Sequence, residues 1–137
     1  MSTTVSLRVG NLMSIDPVTV APDAPVAEAE ALLRTYRISG LPVVDHGELI
    51  GVVSQTDLLT AHASELISAN WPRLRVRHIM SRPAIAIGAM TSVEDAARRM
   101  IVDHIHRLVV TDDAGTPIGV VTPLDLLRVI LDEAEVA

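Results

Sequence analysis

Two stretches of the chain gather the same chemical groups. The first is Gly51-Val52-Val53-Ser54-Gln55-Thr56-Asp57-Leu58-Leu59. The second is Gly119-Val120-Val121-Thr122-Pro123-Leu124-Asp125-Leu126-Leu127. In each, an apolar run of strand character ends at a hydroxyl residue, and an Asp follows three residues later, in the first turn of a predicted helix. A helix start carries free N–H groups and the positive end of the helix dipole, so it is an anion site by construction. A hydroxyl, free N–H groups and a carboxylate therefore meet at one place. The same residue types also serve simple capping, in which the hydroxyl takes a free N–H and the Asp complements the dipole. The two readings are compatible, and the spacing leaves both open.

The composition removes many other chemistries. All 11 basic residues are Arg, so Schiff-base lysine chemistry and a phosphate-loop lysine are excluded. Cysteine is absent, which excludes disulfides, thiolate metal sites and thiol nucleophiles. A net charge of −6 argues against a nucleic-acid partner, which needs a basic face. Trp71 and Tyr36 are the only aromatics, too few for a base-stacking platform. No Ser-His-Asp order, paired-acid arrangement or phosphate loop is present, so no enzyme is expected. No apolar run approaches the ~18 residues of a membrane span, and no charged-then-apolar leader opens the chain, so no membrane insertion and a cytoplasmic location are expected.

The elements that position the two stretches repeat as well. Met13 matches Met80, Ser14 matches Ser81, Val26 matches Val93 and Leu41 matches Leu108; after one extra residue near Gly115, Gly51 matches Gly119 and Asp57 matches Asp125. Each copy reads β-α-β-β-α. In the first, Val18-Thr19-Val20 is extended, and Val26, Ala29, Leu33 and Tyr36 share a helical face. Leu41–Val44 and Leu49–Val53 form a hairpin about Asp45-His46-Gly47-Glu48, and a helix runs from Ser54 to about Ala69. Asn70-Trp71-Pro72 ends that helix, and Arg73-Leu74-Arg75-Val76-Arg77 alternates as an extended connection. In the second copy, Ile85-Ala86-Ile87 is a strand. Thr91-Ser92-Val93-Glu94 reads as a capping box, with Val93, Ala96, Ala97, Met100 and Ile101 on the apolar face of the helix it starts. The last helix, from about Pro123 to Glu133, carries Leu124, Leu126, Leu127, Val129, Ile130 and Leu131 around most of its circumference. A helix apolar nearly all round is buried on more than one side, so a homodimer through this helix and its counterpart after Asp57 is expected. Strands apolar on both faces predict that the copies pack sheet to sheet as a pseudo-twofold pair with two clefts. The fold class is α/β in the α+β sense, with repeats at 8–70 and 78–133 and a linker at 71–77.

Ile79-Met80-Ser81, Ile38-Ser39-Gly40-Leu41-Pro42-Val43-Val44-Asp45, His106-Arg107-Leu108-Val109-Val110 and the two Gly-apolar-apolar-(Ser/Thr)-x-x-Asp stretches carry a resemblance. In this order and duplication the chain resembles the cystathionine-β-synthase (CBS) domain, which occurs in tandem pairs. The first copy is similar to the regulatory pair of inosine monophosphate dehydrogenase. The resemblance covers about residues 8–132. It implies a ligand-sensing module without a required cofactor, binding AMP, ADP, ATP or S-adenosylmethionine and acting on a separate, unknown protein. It implies that Asp57 and Asp125 take ribose hydroxyls, and that Ser54, Thr122 and nearby basic residues face phosphates. Adenine would lie against the first strands, Val18-Thr19-Val20 and Ile85-Ala86-Ile87, and around Ser39-Gly40-Leu41-Pro42.

His106 and Arg107 are then candidate phosphate partners, Arg by its fork of donors. Their counterparts, Ser39 and Gly40, carry no charge, so the two clefts should differ. His104 and His106 beside Asp103 lack a third ligand at a recognised spacing, so no metal is expected there. The competing expectation is a ligand-free interaction module that dimerises or binds a protein through its apolar helices.

Overall fold

A computed structural model describes residues 7–64 and 69–136. In chain order the strands are β1 (Ser14–Ile15), β2 (Gly40–Asp45), β3 (Glu48–Ser54), β4 (Ala86–Gly88), β5 (Leu108–Thr111) and β6 (Pro117–Val121). The helices are α1 (Val26–Tyr36), α2 (Gln55–Ala63), the single-turn α3 (Val76–Ile79), α4 (Val93–Asp103) and α5 (Pro123–Val136). The fold is mixed α+β, and it divides into two compact units. One is Val18–Ala84, called here the Asp57 unit. The other joins the residues through Pro17 to those from Ile85 onward, and is called the Asp125 unit.

The two units use one plan. In the Asp125 unit, four strands lie in the order β1-β6-β5-β4, with β4 and β5 parallel and the other pairs antiparallel. In the Asp57 unit, the β2–β3 hairpin is extended by a parallel bridge from Val20 to Val43 and an antiparallel bridge from Ser81 to Val52. Ser81 thus occupies the place of β1, and Val20 that of β4. Each unit has its own apolar core. Val26, Leu33, Leu41, Val53 and Leu58 centre the first, and Met100, Leu108, Val110, Val121 and Leu126 the second.

A short lead-in closes each core, and the two lead-ins are held by the same hydrogen bonds. Val9 N–H donates to Thr91 and Gly10 N–H to Ala89, both at 2.9 Å; Val76 N–H donates to Ala24 and Arg77 N–H to Pro22, again at 2.9 Å. Val9 and Val76 are fully buried. A single turn of helix does not hold itself in water. Burial of one Val, worth about 1.5–3 kcal/mol, together with this main-chain pairing keeps each lead-in in place.

The helices begin and end by recognisable chemistry. Ser92 caps α4, accepting from Asp95 N–H at 3.1 Å. This corrects the expected Thr91–Glu94 box by one residue. Thr91 cannot serve, because its N–H is donated to Gly88 and its carbonyl takes Val9 N–H. α1 and α4 end alike, at Arg37 and His104 in the left-handed conformation (φ 54 and 53). Two residues expected on apolar faces lie outside: Tyr36 is 55% exposed in the last turn of α1, and Ile101 is 74% exposed. Ile101 lies one residue past Met100, about 100° further round the helix than the buried Met100. The Arg73–Arg77 connection is not extended throughout. A 3-10 turn covers Trp71–Arg73, Arg75 pairs with Pro25, and α3 starts at Val76. The helix expected to reach Ala69 is α2, which ends at Ala63; residues 65–68 of that expectation lie outside the described residues.

The lead-ins can approach only because the facing strand carries glycine. A Cβ on Gly51 would stand 2.7 Å from the Ser81 carbonyl oxygen, and one on Gly119 2.8 Å from that of Ser14. Both carbonyls belong to paired backbone and cannot swing aside. Gly51→Ala is therefore expected to cost about 1–3 kcal/mol as an overpacking substitution. Calorimetry should show a melting temperature several degrees lower. Gly88→Ala, whose Cβ would meet nothing within 4 Å, serves as the control and should leave it unchanged. Equal effects of the two would contradict the packing described.

Candidate functional site

β3 ends at Ser54 and α2 begins on the next residue; β6 ends at Val121, one residue before Thr122, and α5 begins at Pro123. In the Asp57 unit, Ser54 is the N-cap of α2. Its Oγ accepts from Asp57 N–H at 3.1 Å, and Asp57 turns back to accept from Ser54 N–H at 2.8 Å. The same Asp57 oxygen, Oδ2, also accepts from Ser54 Oγ at 3.0 Å. The Asp125 unit repeats this ring. Asp125 Oδ2 accepts from Thr122 N–H at 2.9 Å and from Thr122 Oγ1 at 3.1 Å, while Asp125 N–H reaches Thr122 Oγ1 at a longer 3.4 Å. Both capping and carboxylate presentation are thus present at once. The backbone is capped by one carboxylate oxygen, which leaves the other, Oδ1, to face elsewhere.

The units differ at that second oxygen. Asp57 Oδ1 accepts from Ser81 Oγ at 2.9 Å. Asp125 Oδ1 has no hydrogen-bond partner among the described residues. They differ also at the residue after the cap. Gln55 N–H donates to the Ser39 carbonyl at 2.9 Å, whereas Pro123 has no N–H to offer.

The remaining candidates are divided between the units. Val18, Thr19, Val20, Ser39, Gly40, Leu41, Pro42, Ser54 and Asp57 lie in the Asp57 unit. Ile85, Ala86, Ile87, His106, Arg107, Thr122 and Asp125 lie in the other. Gly40 pairs directly with Ser54, so the start of β2 lies beside the capped turn. Leu41 and Pro42 are buried, Thr19 is exposed, and Val20 exchanges backbone bonds with Pro42 and Val44. Arg107 is half-buried and precedes Leu108, which pairs with Val121 next to Thr122. His106 is exposed and lies on the rim of an apolar groove of about 710 Å³ between α4 and α5, lined by Met100, Ile101, Ile105, Leu126 and Leu127 among others. The matching groove between α1 and α2 is smaller, about 390 Å³, and carries Glu30, Arg34, Gln55 and His62.

One participant had no role assigned from sequence. Ser81 is visible there as the repeat partner of Ser14 and as the end of the Ile79-Met80-Ser81 motif, and that recurrence is the available signal. The hydroxyl reaches Asp57 because Ser81 pairs with Val52 in both directions, at 2.8 and 3.0 Å.

Comparison with known proteins gives this duplicated architecture its family. The CBS-domain family profile matches residues 9–64 and again residues 76–132. The chain belongs to the CBS-domain family, as a tandem pair. Each matched CBS repeat runs across the boundary between units, so its lead-in lies in one unit and its remainder in the other. Inosine-5′-monophosphate dehydrogenase of Korarchaeum cryptofilum is 33% identical over 111 residues, 81% of this chain but only 22% of the dehydrogenase. The chain therefore spans about a fifth of such relatives, the part that holds their CBS pair. Among solved structures, CBSX2, an Arabidopsis thaliana CBS-pair protein, in complex with AMP is similar at a TM-score of 0.81 and 32% identity, covering 93% of this chain and 98% of that one. The CBS pair of protein MJ0100, in complex with 5′-methylthioadenosine and S-adenosylmethionine, is similar at a TM-score of 0.82 and 27% identity, covering 93% and 98%. Among the described residues, no helix is long and apolar enough to cross a membrane.

Proposed function

We propose that this CBS pair is a regulatory module that binds an adenosine-containing ligand, AMP, ADP, ATP or S-adenosylmethionine, and signals its occupancy to a separate protein. The observation that carries the reading is the carboxylate of Asp125. It is held by its own helix start through Oδ2, and Oδ1 has no partner among the described residues. A carboxylate fixed this way accepts two neighbouring sugar hydroxyls without reorganising, and the helix start beside it suits a phosphate. Thr122 and Arg107 are placed by sequence next to that turn, and Ser54 and Asp57 repeat it. The ligands bound by CBSX2 and by the MJ0100 pair share the adenosine group and differ beyond it, in keeping with a site that reads the ribose. Signalling requires that the ligand favour one state of the module over another.

AMP in excess should raise the melting temperature of the chain. At a hundredfold over the dissociation constant the stabilisation is about 2.7 kcal/mol. Asp125→Asn should remove most of it. Absence of a shift with AMP, ATP and S-adenosylmethionine at millimolar concentration would favour the ligand-free interaction module instead.

The proposal includes a homodimer formed through α5 and its counterpart α2. The support is the apolar surface of the Asp125 unit, where Ile101 and Leu127 are exposed in the groove between α4 and α5, and Val102, Leu124 and Leu131 are large, hydrophobic and exposed on the same two helices. Covering these side chains with a second copy of themselves removes them from water. Sedimentation should show a dimer at micromolar concentration and a monomer for the Ile101→Glu/Leu127→Glu variant. A monomeric unmodified chain would contradict this part.

A further inference from the structure

The two capped turns share one backbone plan, yet their carboxylates do not stand in the same condition. Asp57 Oδ1 receives the Ser81 hydroxyl at 2.9 Å, while Asp125 Oδ1 receives nothing from the described residues. Ser14 is the equivalent of Ser81. It is paired with Val120 as Ser81 is paired with Val52, and its carbonyl lies over Gly119 as that of Ser81 lies over Gly51. Both serines are therefore brought to the same place by main-chain pairing, and only one of them closes on its carboxylate.

We propose that Ser81 is an affinity-determining residue that makes the Asp57 site the weaker of the two. This rests on the reading above, that the Asp carboxylates take sugar hydroxyls. A carboxylate is acceptor-only, and its two oxygens offer a limited set of lone-pair directions. At Asp57, Oδ2 already accepts twice from Ser54, and Oδ1 accepts from Ser81. A ligand hydroxyl arriving at Oδ1 competes with a donor that is already tethered there, whereas at Asp125 it meets an oxygen with no donor among the described residues. The backbone of Ser81 is held by two hydrogen bonds to Val52, so the donor cannot drift away, but its side chain is exposed and can turn aside. The site is thus attenuated rather than blocked. The difference is set by one exchangeable hydroxyl whose bond to the carboxylate is exposed and screened by water, so it is worth about threefold to tenfold in affinity, less than a shielded hydrogen bond to a charged group.

The test is titration calorimetry with AMP on the full chain. In an Asp125→Asn background, which leaves Asp57 as the competent carboxylate, Ser81→Ala should tighten AMP binding about threefold to tenfold. Ser81→Thr keeps the hydroxyl and should stay at the background affinity. Ser14→Ala in an Asp57→Asn background should change nothing. Unchanged or weaker binding in the Ser81→Ala chain overturns the inference; weaker binding would make Ser81 a ligand contact instead. If the unmodified chain takes up none of AMP, ATP and S-adenosylmethionine, the functional reading falls and this inference falls with it. Binding by the unmodified chain, with no gain from Ser81→Ala, sinks the inference alone.

Discussion

A main-chain pairing that admits no side chain governs the placement of everything else. Gly51 faces the carbonyl of Ser81, and Gly119 faces that of Ser14, each across a gap a methyl group would fill. Because the pairing is tight, the lead-in runs along the strand that ends at the capped turn. Because Val9 and Val76 are buried one turn earlier, the lead-in is fixed at both ends. In the Asp57 unit the strand end, the helix start and the lead-in's Ser81 then meet within hydrogen-bond distance. Neither α3 nor the turn at Val9–Asn11 has the length to persist alone. Their persistence comes from packing, and the position of the serines is inherited from it.

On this common frame, single substitutions between the repeats make the two halves different. Gln55 ties the start of α2 to Ser39, and Pro123 gives up that bond. The groove between α1 and α2 holds Glu30 and Arg34 in an ion pair at 3.1 Å, with His62 stacked on Trp71. The groove between α4 and α5 has Ala97 and Ile101 at the matching positions and is apolar. Exposed ion pairs stabilise little, so the two faces differ in polarity while the helices beneath them remain copies.

Much of this is legible in the sequence. The recurrence of Met-Ser, of Gly-Val-Val-(Ser/Thr) and of Asp three residues later exposed the duplication. The same spacing announced a hydroxyl cap with a carboxylate in the first turn, which the structure contains in both units. What escaped was decided by contacts distant in the chain. The lead-in that precedes each repeat joins the other unit, and no local periodicity records that. The Thr91 cap lost to Ser92 because the lead-in claims the Thr91 carbonyl. The Ser81 contact with Asp57 spans 24 residues and needs the Gly51 approach to form. Residues of the connection read as alternating, and so as extended, because Val76 had to be buried; a single helical turn buries it as well.

The account turns on a carboxylate that reads sugar hydroxyls rather than one that only caps a helix. Calorimetric comparison of AMP with 2′,3′-dideoxy-AMP tests this most directly, since the two differ only in the groups the carboxylate would accept. Hydrogen bonds to a charged acceptor are worth about 1.5–3 kcal/mol each, so the loss of both should weaken binding of the dideoxy compound by at least on the order of a hundredfold. Equal affinity for the two nucleotides would contradict the account and return Asp57 and Asp125 to the role of helix caps.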